Sequence, residues 1–220
     1  RDGNIAEPLD GIRLADDDFV FWQMAEPMPD LAEFGTRVAQ TFGETTYHLM
    51  RQLRVGVVGA SGTGSIVIEQ LARNCIGTLV VVDPDHIEDK NLNRILNSNA
   101  DDASRKLGKP FIQKRAIDSL SFGTVVHTFQ ADLASQEVLE ALSTCDVLFG
   151  CVDSVDGRHI LNKLASTYVI PLIDVGVRLD ADGKGGIDRI TTAVHTILPG
   201  GSSLLSRGVY SQEDLYAAFL

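Results

Sequence analysis

Apolar residues follow two alternating rhythms along this chain. Short apolar-rich runs, Leu53–Val58, Leu79–Val82, Thr124–Phe129, Val147–Gly150 and Leu172–Val175, have the length of buried strands. Between them apolar positions recur every three or four residues. Gly62 to Cys75 carries Ile66, Ile68, Leu71, Ala72 and Cys75 on one face, and Pro110–Leu120, Ser135–Leu142 and Asp156–Tyr168 read as further helices. Pro110 suits a first helical turn, where no N–H is needed. Another helix is predicted over 35–50. Strand and helix alternate from 53 to 175, which predicts an α/β domain with a doubly wound, mainly parallel sheet. Ile187–Leu198 then alternates apolar and polar residues, as an antiparallel C-terminal extension would.

Residues 1–34 break this rhythm. They hold Asp16, Asp17, Asp18 and three prolines, with an apolar patch from Phe19 to Trp22. The expected division is an acidic N-terminal arm over 1–34, the tail of an upstream module, and one domain over 35–220. A start at Arg1 fits a processed form or a piece of a longer chain. The 220 residues suffice for one self-supporting core. The 19 basic and 30 acidic residues leave a net charge of −11. That argues against electrostatic nucleic-acid binding, which runs on Lys and Arg neutralising phosphates. No apolar run approaches the roughly 18 residues that span a bilayer, so no membrane partner is expected. Cys75, Cys145 and Cys151 make an odd number in apolar surroundings, which predicts reduced thiols and a cytoplasmic location.

The candidate chemistry begins at Gly59-Ala60-Ser61-Gly62-Thr63-Gly64, after the first strand and opening the next helix. Glycines let a backbone approach a phosphate there, and the helix N-terminus offers N–H groups and positive dipole. Asp83 ends the following strand, where a carboxylate accepts ribose hydroxyls. Ser61 occupies the place of the second glycine of the ordinary dinucleotide pattern. The loop alone leaves NAD, FAD, S-adenosylmethionine and ATP open.

Several further motifs follow in order: Asp83-Pro84-Asp85, then Asn91-Leu92-Asn93-Arg94, then Cys151-Val152-Asp153-Ser154. Together with Gly59, Gly62, Gly64 and Ser65, they resemble the ThiF/MoeB/HesA family of ubiquitin-activating-like adenylyltransferases over residues 35 to 210. The family pattern is G-x-G-G-x-G-S, D-x-D, N-L-x-R and C-T-D-N. The resemblance implies a Rossmann-like fold that binds ATP and Mg²⁺. It implies attack of a carboxylate on the α-phosphorus, giving an acyl-adenylate and pyrophosphate. The carboxylate belongs to the C-terminus of a ubiquitin-like or sulfur-carrier protein. By their matches, Gly59, Ala60, Ser61, Gly62, Gly64, Asp83, Asp85, Asn91 and Arg94 hold nucleotide, and Arg94 is also catalytic, gripping phosphates. Asp153 holds Mg²⁺. Arg37 matches an arginine that reaches the partner's ATP in homodimeric members, although Phe34 and Val38 replace the expected neighbouring arginine and glutamine. A homodimer is implied.

Three departures bear on activity. The family's phosphate lysine, in G-x-x-K, is Phe111 in Gly108-Lys109-Pro110-Phe111. Lys109, or Lys114 one turn on, is the candidate substitute. Ser203-Leu204-Leu205-Ser206 stands where many members have C-x-x-C, and serine hydroxyls are poor zinc ligands, so no zinc site is expected. No cysteine follows Cys151, so no thioester step is expected in this chain. Two alternatives stay open: a catalytically inactive scaffold that binds nucleotide or partner, and an NAD(P)-dependent oxidoreductase. Activation of a tRNA-borne carboxylate is a further variant within the family, disfavoured by the net charge.

Overall fold

The computed structural model describes residues 11–15, 19–23 and 30–218. Strands β1 (Gly11–Ala15) and β2 (Phe19–Gln23) pair antiparallel as a separate ribbon within the arm. The domain begins with two helices, α1 (Thr36–Phe42) and α2 (Glu44–Gln52), where the sequence predicts one. Gly43 separates them at φ +91°, a conformation that glycine adopts without steric penalty.

A six-stranded sheet follows in the order β5-β4-β3-β6-β7-β8. Its strands are β3 (Arg54–Val58), β4 (Thr78–Val82), β5 (Val125–Phe129), β6 (Val147–Gly150), β7 (Leu172–Ala181) and β8 (Ile187–Ile197). The first five run parallel and β8 pairs antiparallel with β7. The fold is thus the expected Rossmann-like, doubly wound sheet with an antiparallel C-terminal extension. Helices α3 (Gly62–Arg73), α5 (Lys109–Leu120), α6 (Gln136–Ser143) and α7 (Val155–Tyr168) alternate with the strands. Two short helices, α4 (Ala100–Ser104) and α8 (Gln212–Ala218), were not legible in the periodicity.

The core forms two main clusters, as a sheet covered on both faces requires. One gathers Val55, Val57, Ile68, Ala72, Leu79 and Val81 with Ile117 and Val126. The other gathers Val80, Val82, Leu142, Leu148, Leu161, Leu164 and Leu172. The alternation along β4 sends Leu79 and Val81 to one and Val80 and Val82 to the other. Among the described residues, no helix is long and apolar enough to cross a membrane.

β7 runs to Ala181, six residues past the predicted end at Val175. Beyond Asp174 it leaves β6 and pairs with β8 alone, as a projecting ribbon. Cross-strand partners Val175–Val194, Val177–Thr192 and Leu179–Ile190 share one face. Val177, Leu179, Ile190 and Val194 are all exposed there.

Candidate functional site

The strand order reverses between β3 and β6, and in open α/β sheets ligands bind outside the carboxyl ends of the strands at that point. The glycine loop and the Cys151–Ser154 segment leave those two strand ends side by side. Gly59, at φ +92°, lies against Cys151: a Cβ there would stand 2.5 Å from the Cys151 carbonyl oxygen. A Cβ on Gly64 would stand 1.7 Å from the Gly59 carbonyl, so glycine at 64 is what lets α3 pack against the end of β3. Gly62 is different. A Cβ there would meet the Arg94 Cδ at an ordinary 3.4 Å. Ser61 is the N-cap residue of α3 but its side chain makes no cap bond, leaving the first-turn N–H groups to other acceptors.

The carboxylate of Asp83 is buried just past β4. It accepts the N–H of Ala60 at 2.7 Å on Oδ2 and the N–H of Asp85 at 2.9 Å on Oδ1. Burial raises its pKa, opposed by the Ala60 N–H, by the Lys109 charge and by the Asp85 N–H. Asp83 therefore ties the glycine loop to the end of the next strand.

Arg94 reaches the loop from a 3₁₀ turn over Asp89–Asn91. Asn91 builds that turn: its side chain accepts the Glu88 N–H at 3.1 Å, in a reciprocal cap with Glu88. Ser65 binds the same segment to α3, donating to the Gly62 carbonyl and accepting the Leu96 N–H at 3.1 Å. Arg94 then lies exposed over Gly62, with Nη1 donating to the Lys90 carbonyl at 2.8 Å. Its guanidinium is not consumed by the nearby acids. Lys90 pairs with Glu88 and Lys109 with Asp85.

Asp153 is exposed past the end of β6. It does not cap α7, because Ser154 does so, accepting the Gly157 N–H at 3.2 Å. An exposed carboxylate at this edge has the chemistry of a Mg²⁺ ligand, since Mg²⁺ takes one or two carboxylates plus substrate phosphates. Beside it Cys151 is a poor nucleophile: burial, then the Asp174 charge, pushes its thiol up to about 12.

The lysines expected to replace the Phe111 position have other partners. Lys109 is buried, with Nζ 2.7 Å from Asp85 Oδ2 and 3.6 Å from Asp83 Oδ1. Lys114 pairs along its own helix with Asp118 at 3.2 Å. Arg115 forks onto Asp102 and also donates to the Asn97 carbonyl at 3.0 Å. Phe111 itself is 40 % exposed rather than packed into the core.

Arg37 is exposed on α1 and donates to Gln40 at 2.9 Å. Its helix sits at the other edge of the sheet. Phe34 stacks on Phe122 at 4.8 Å, and Ala39 and Tyr47 cluster with Cys75, all beside the amino ends of β4 and β5. A five-residue strand is about 17 Å long, so Arg37 is not brought to the glycine loop of its own chain. The ring stack gives Phe34 a packing role at this edge.

Ser203 and Ser206 bond each other. The Ser203 N–H donates to Ser206 Oγ at 2.9 Å and the Ser206 N–H to Ser203 Oγ at 3.1 Å. Asn162 of α7 anchors this turn by accepting the Leu204 N–H at 2.9 Å. A cavity of about 120 Å³ lies beside it, lined by Ala165, Val169, Ile197 and Pro199 among others, with no ionisable group. It has none of the chemistry gathered at the glycine loop.

Sequence reasoning missed Lys109's acids, Gln113, which is buried and donates to the Leu96 carbonyl at 3.0 Å, and the Arg115–Asp102 clamp. Only the last left a signal: Asn99-x-x-Asp102 is a capping-box spacing, and both of its bonds form.

Comparison with known proteins gives a consistent answer. The ThiF family model matches residues 35–214. The chain is 29% identical over 143 residues to the adenylyltransferase and sulfurtransferase MOCS3 of Caenorhabditis briggsae, covering 65% of this chain and 35% of that protein. It is 34% identical over 122 residues to the SAMP-activating enzyme E1 of Haloferax volcanii, covering 54% and 44%. The chain thus spans less than half the length of these relatives. The structure of E. coli MccB with succinimide superimposes with a TM-score of 0.68 at 18% identity, covering 87% of this chain and 55% of that one, a likeness of fold.

Proposed function

Because this chain belongs to the ThiF family, we propose that it binds Mg-ATP and adenylates the C-terminal carboxylate of a ubiquitin-like or sulfur-carrier protein. The observation that carries this reading is the convergence of three groups on one strand-end crevice. They are the Asp83-braced glycine loop, the Arg94 side chain over Gly62, and the exposed carboxylate of Asp153, which is left free of capping duty by Ser154.

Each group has a task in the displacement. The N–H groups at the start of α3 and the Arg94 guanidinium take the phosphate oxygens, where negative charge builds as the acyl oxygen attacks the α-phosphorus. Arginine suits this because its fork is planar and always charged. Asp83 takes a ribose hydroxyl, with Asp85 and the Asn91 turn fixing the segment beside it. Mg²⁺, held by Asp153 and the phosphates, supplies further charge compensation when bound. The bond from the α-phosphorus to the bridging oxygen breaks, and pyrophosphate leaves with its electron pair. The acyl group stays on AMP in this chain: Cys75 and Cys145 are buried, and burial pushes the Cys151 thiol away from the nucleophilic thiolate. Arg37, at the far edge of its own sheet, acts on a second copy's nucleotide in a homodimer.

The test is ATP–pyrophosphate exchange dependent on an added carrier protein. Asp153→Ala is expected to abolish exchange with the fold intact by circular dichroism; full exchange would remove the Mg²⁺ assignment. One observation favours a second reading, an inactive nucleotide-binding scaffold: Lys109 and Lys114 are both committed to carboxylates, so nothing on α5 replaces the charge missing at Phe111. Mg-ATP binding without exchange in the presence of every carrier tried would select it.

A further inference from the structure

Lys109 is buried within the polypeptide, its side chain 6 % exposed, and a buried ammonium is costly unless paired. Its two partners are the acids of the D-x-D motif. The main chain reinforces the pairing: the Lys109 N–H donates to the Asp85 carbonyl at 3.1 Å, and His86 and Gly108 form a bridge between the two segments. An ionised carboxylate offers about four acceptor positions. On Asp83 the N–H groups of Ala60 and Asp85 fill two, and the Lys109 ammonium, 3.6 Å from Oδ1, makes an ion-pair contact beyond hydrogen-bond distance, so acceptor capacity remains for a ligand hydroxyl.

We propose that Lys109 is a positioning residue for ribose recognition: it fixes and keeps ionised the Asp83 carboxylate that grips the sugar, rather than gripping phosphate itself. This rests on the nucleotide-binding reading above. The charged groups facing Asp83 are Asp85 from its own loop and Lys109 from α5; the glycine loop presents the Ala60 N–H, and β5 accepts the Asp83 N–H on the Phe129 carbonyl. Lys109 is thus the one cation among them. Burial already pushes the Asp83 carboxyl up, and removing the lysine pushes it further. The ribose grip needs the ionised form. It is therefore present at alkaline pH and lost as pH falls, and the loss comes at higher pH without Lys109.

The experiment is calorimetric titration with Mg-ATP and with its 2′,3′-dideoxy analogue, from pH 5.5 to 8.5. The proteins are the wild type, Lys109→Met, Lys109→Gln and Lys109→Arg. A charge-assisted hydrogen bond to the sugar gives the wild type about a tenfold or greater preference for ATP over the dideoxy nucleotide. Lys109→Met is expected to lose that preference, with its pH midpoint moved upward, while dideoxy-ATP affinity changes little. Lys109→Arg restores most of it. Should the methionine variant not fold, Lys109→Gln, which keeps a donor but no charge, is read in its place with the same expectation. A wild-type preference and pH profile in the uncharged variants would overturn the assignment of Lys109 alone. Absence of ATP binding by the wild type would overturn the nucleotide reading and this proposal together.

Discussion

Phe111 is the residue that bears most directly on the proposed activity. Its ring is exposed where the family resemblance places a phosphate lysine, and the neighbouring cations are occupied by Asp85, Asp83, Asp118 and Asp102. The lysine pairs differ in what they cost to break. Lys114–Asp118 is an exposed helical pair of little worth, whereas Lys109 lies buried between its acids. Phe111→Lys should therefore add a phosphate contact that the chain lacks. A charge-assisted bond predicts a gain of about tenfold to a hundredfold in carrier-dependent pyrophosphate exchange. No gain would show that the charge is already met by Arg94 and the metal. The residue types and their order were readable at this scale: Gly59, Gly64, Asp83 and Arg94 stand where their motifs put them. The pairing of Lys109 was not, because Asp85 and Lys109 are 24 positions apart and only the 85–87 and 107–109 bridge brings them together.

At the scale of elements, the start of α3 shows two glycines with opposite demands. Gly64→Ala drives a methyl into the Gly59 carbonyl and should cost about 1–3 kcal/mol or more. Gly62→Ala meets Arg94 at ordinary contact distance and should be neutral or slightly stabilising, as alanine favours helix. Urea midpoints of the two variants check this, and equal losses would contradict the packing described. The segment before α5 has its own clamp. Asp102 is held below its ordinary pKa, first by its hydrogen bonds from Arg115, against the opposing effect of burial. A lowered carboxyl contributes stability above its unfolded value of about 3.8–3.9, and that contribution is lost as pH falls through the lower folded value. Asp102→Asn keeps a cap acceptor but removes the charge. The stability gap between wild type and this variant should hold near pH 5 and close below pH 4. A gap unchanged to pH 2.5 would mean the charge pair contributes nothing.

At the scale of the whole molecule, the described residues present a feature that the proposed nucleotide site does not explain. The β7–β8 ribbon leaves the sheet with Val177, Leu179, Ile190 and Val194 exposed on one face. Such a contiguous apolar face on an edge ribbon ordinarily marks an interaction surface. The homodimer proposed above would bury it. Wild-type protein should then sediment as a dimer and the Leu179→Lys/Ile190→Lys variant as a monomer; a dimeric double variant would place the interface elsewhere. The sequence by itself determined the class of the sheet and the succession of its elements along the chain, because buried parallel strands are written as short apolar runs and their helices as a three-to-four periodicity. It also determined the glycine loop and the acid that follows it, which are local strings. Tertiary structure alone decided the break at Gly43, the length of the β7–β8 ribbon, the placing of Arg37 at the far edge, and the partners of Lys109 and Arg115. These depend on which distant segments meet and on which charges can be buried only when paired, and no local pattern of residues records that.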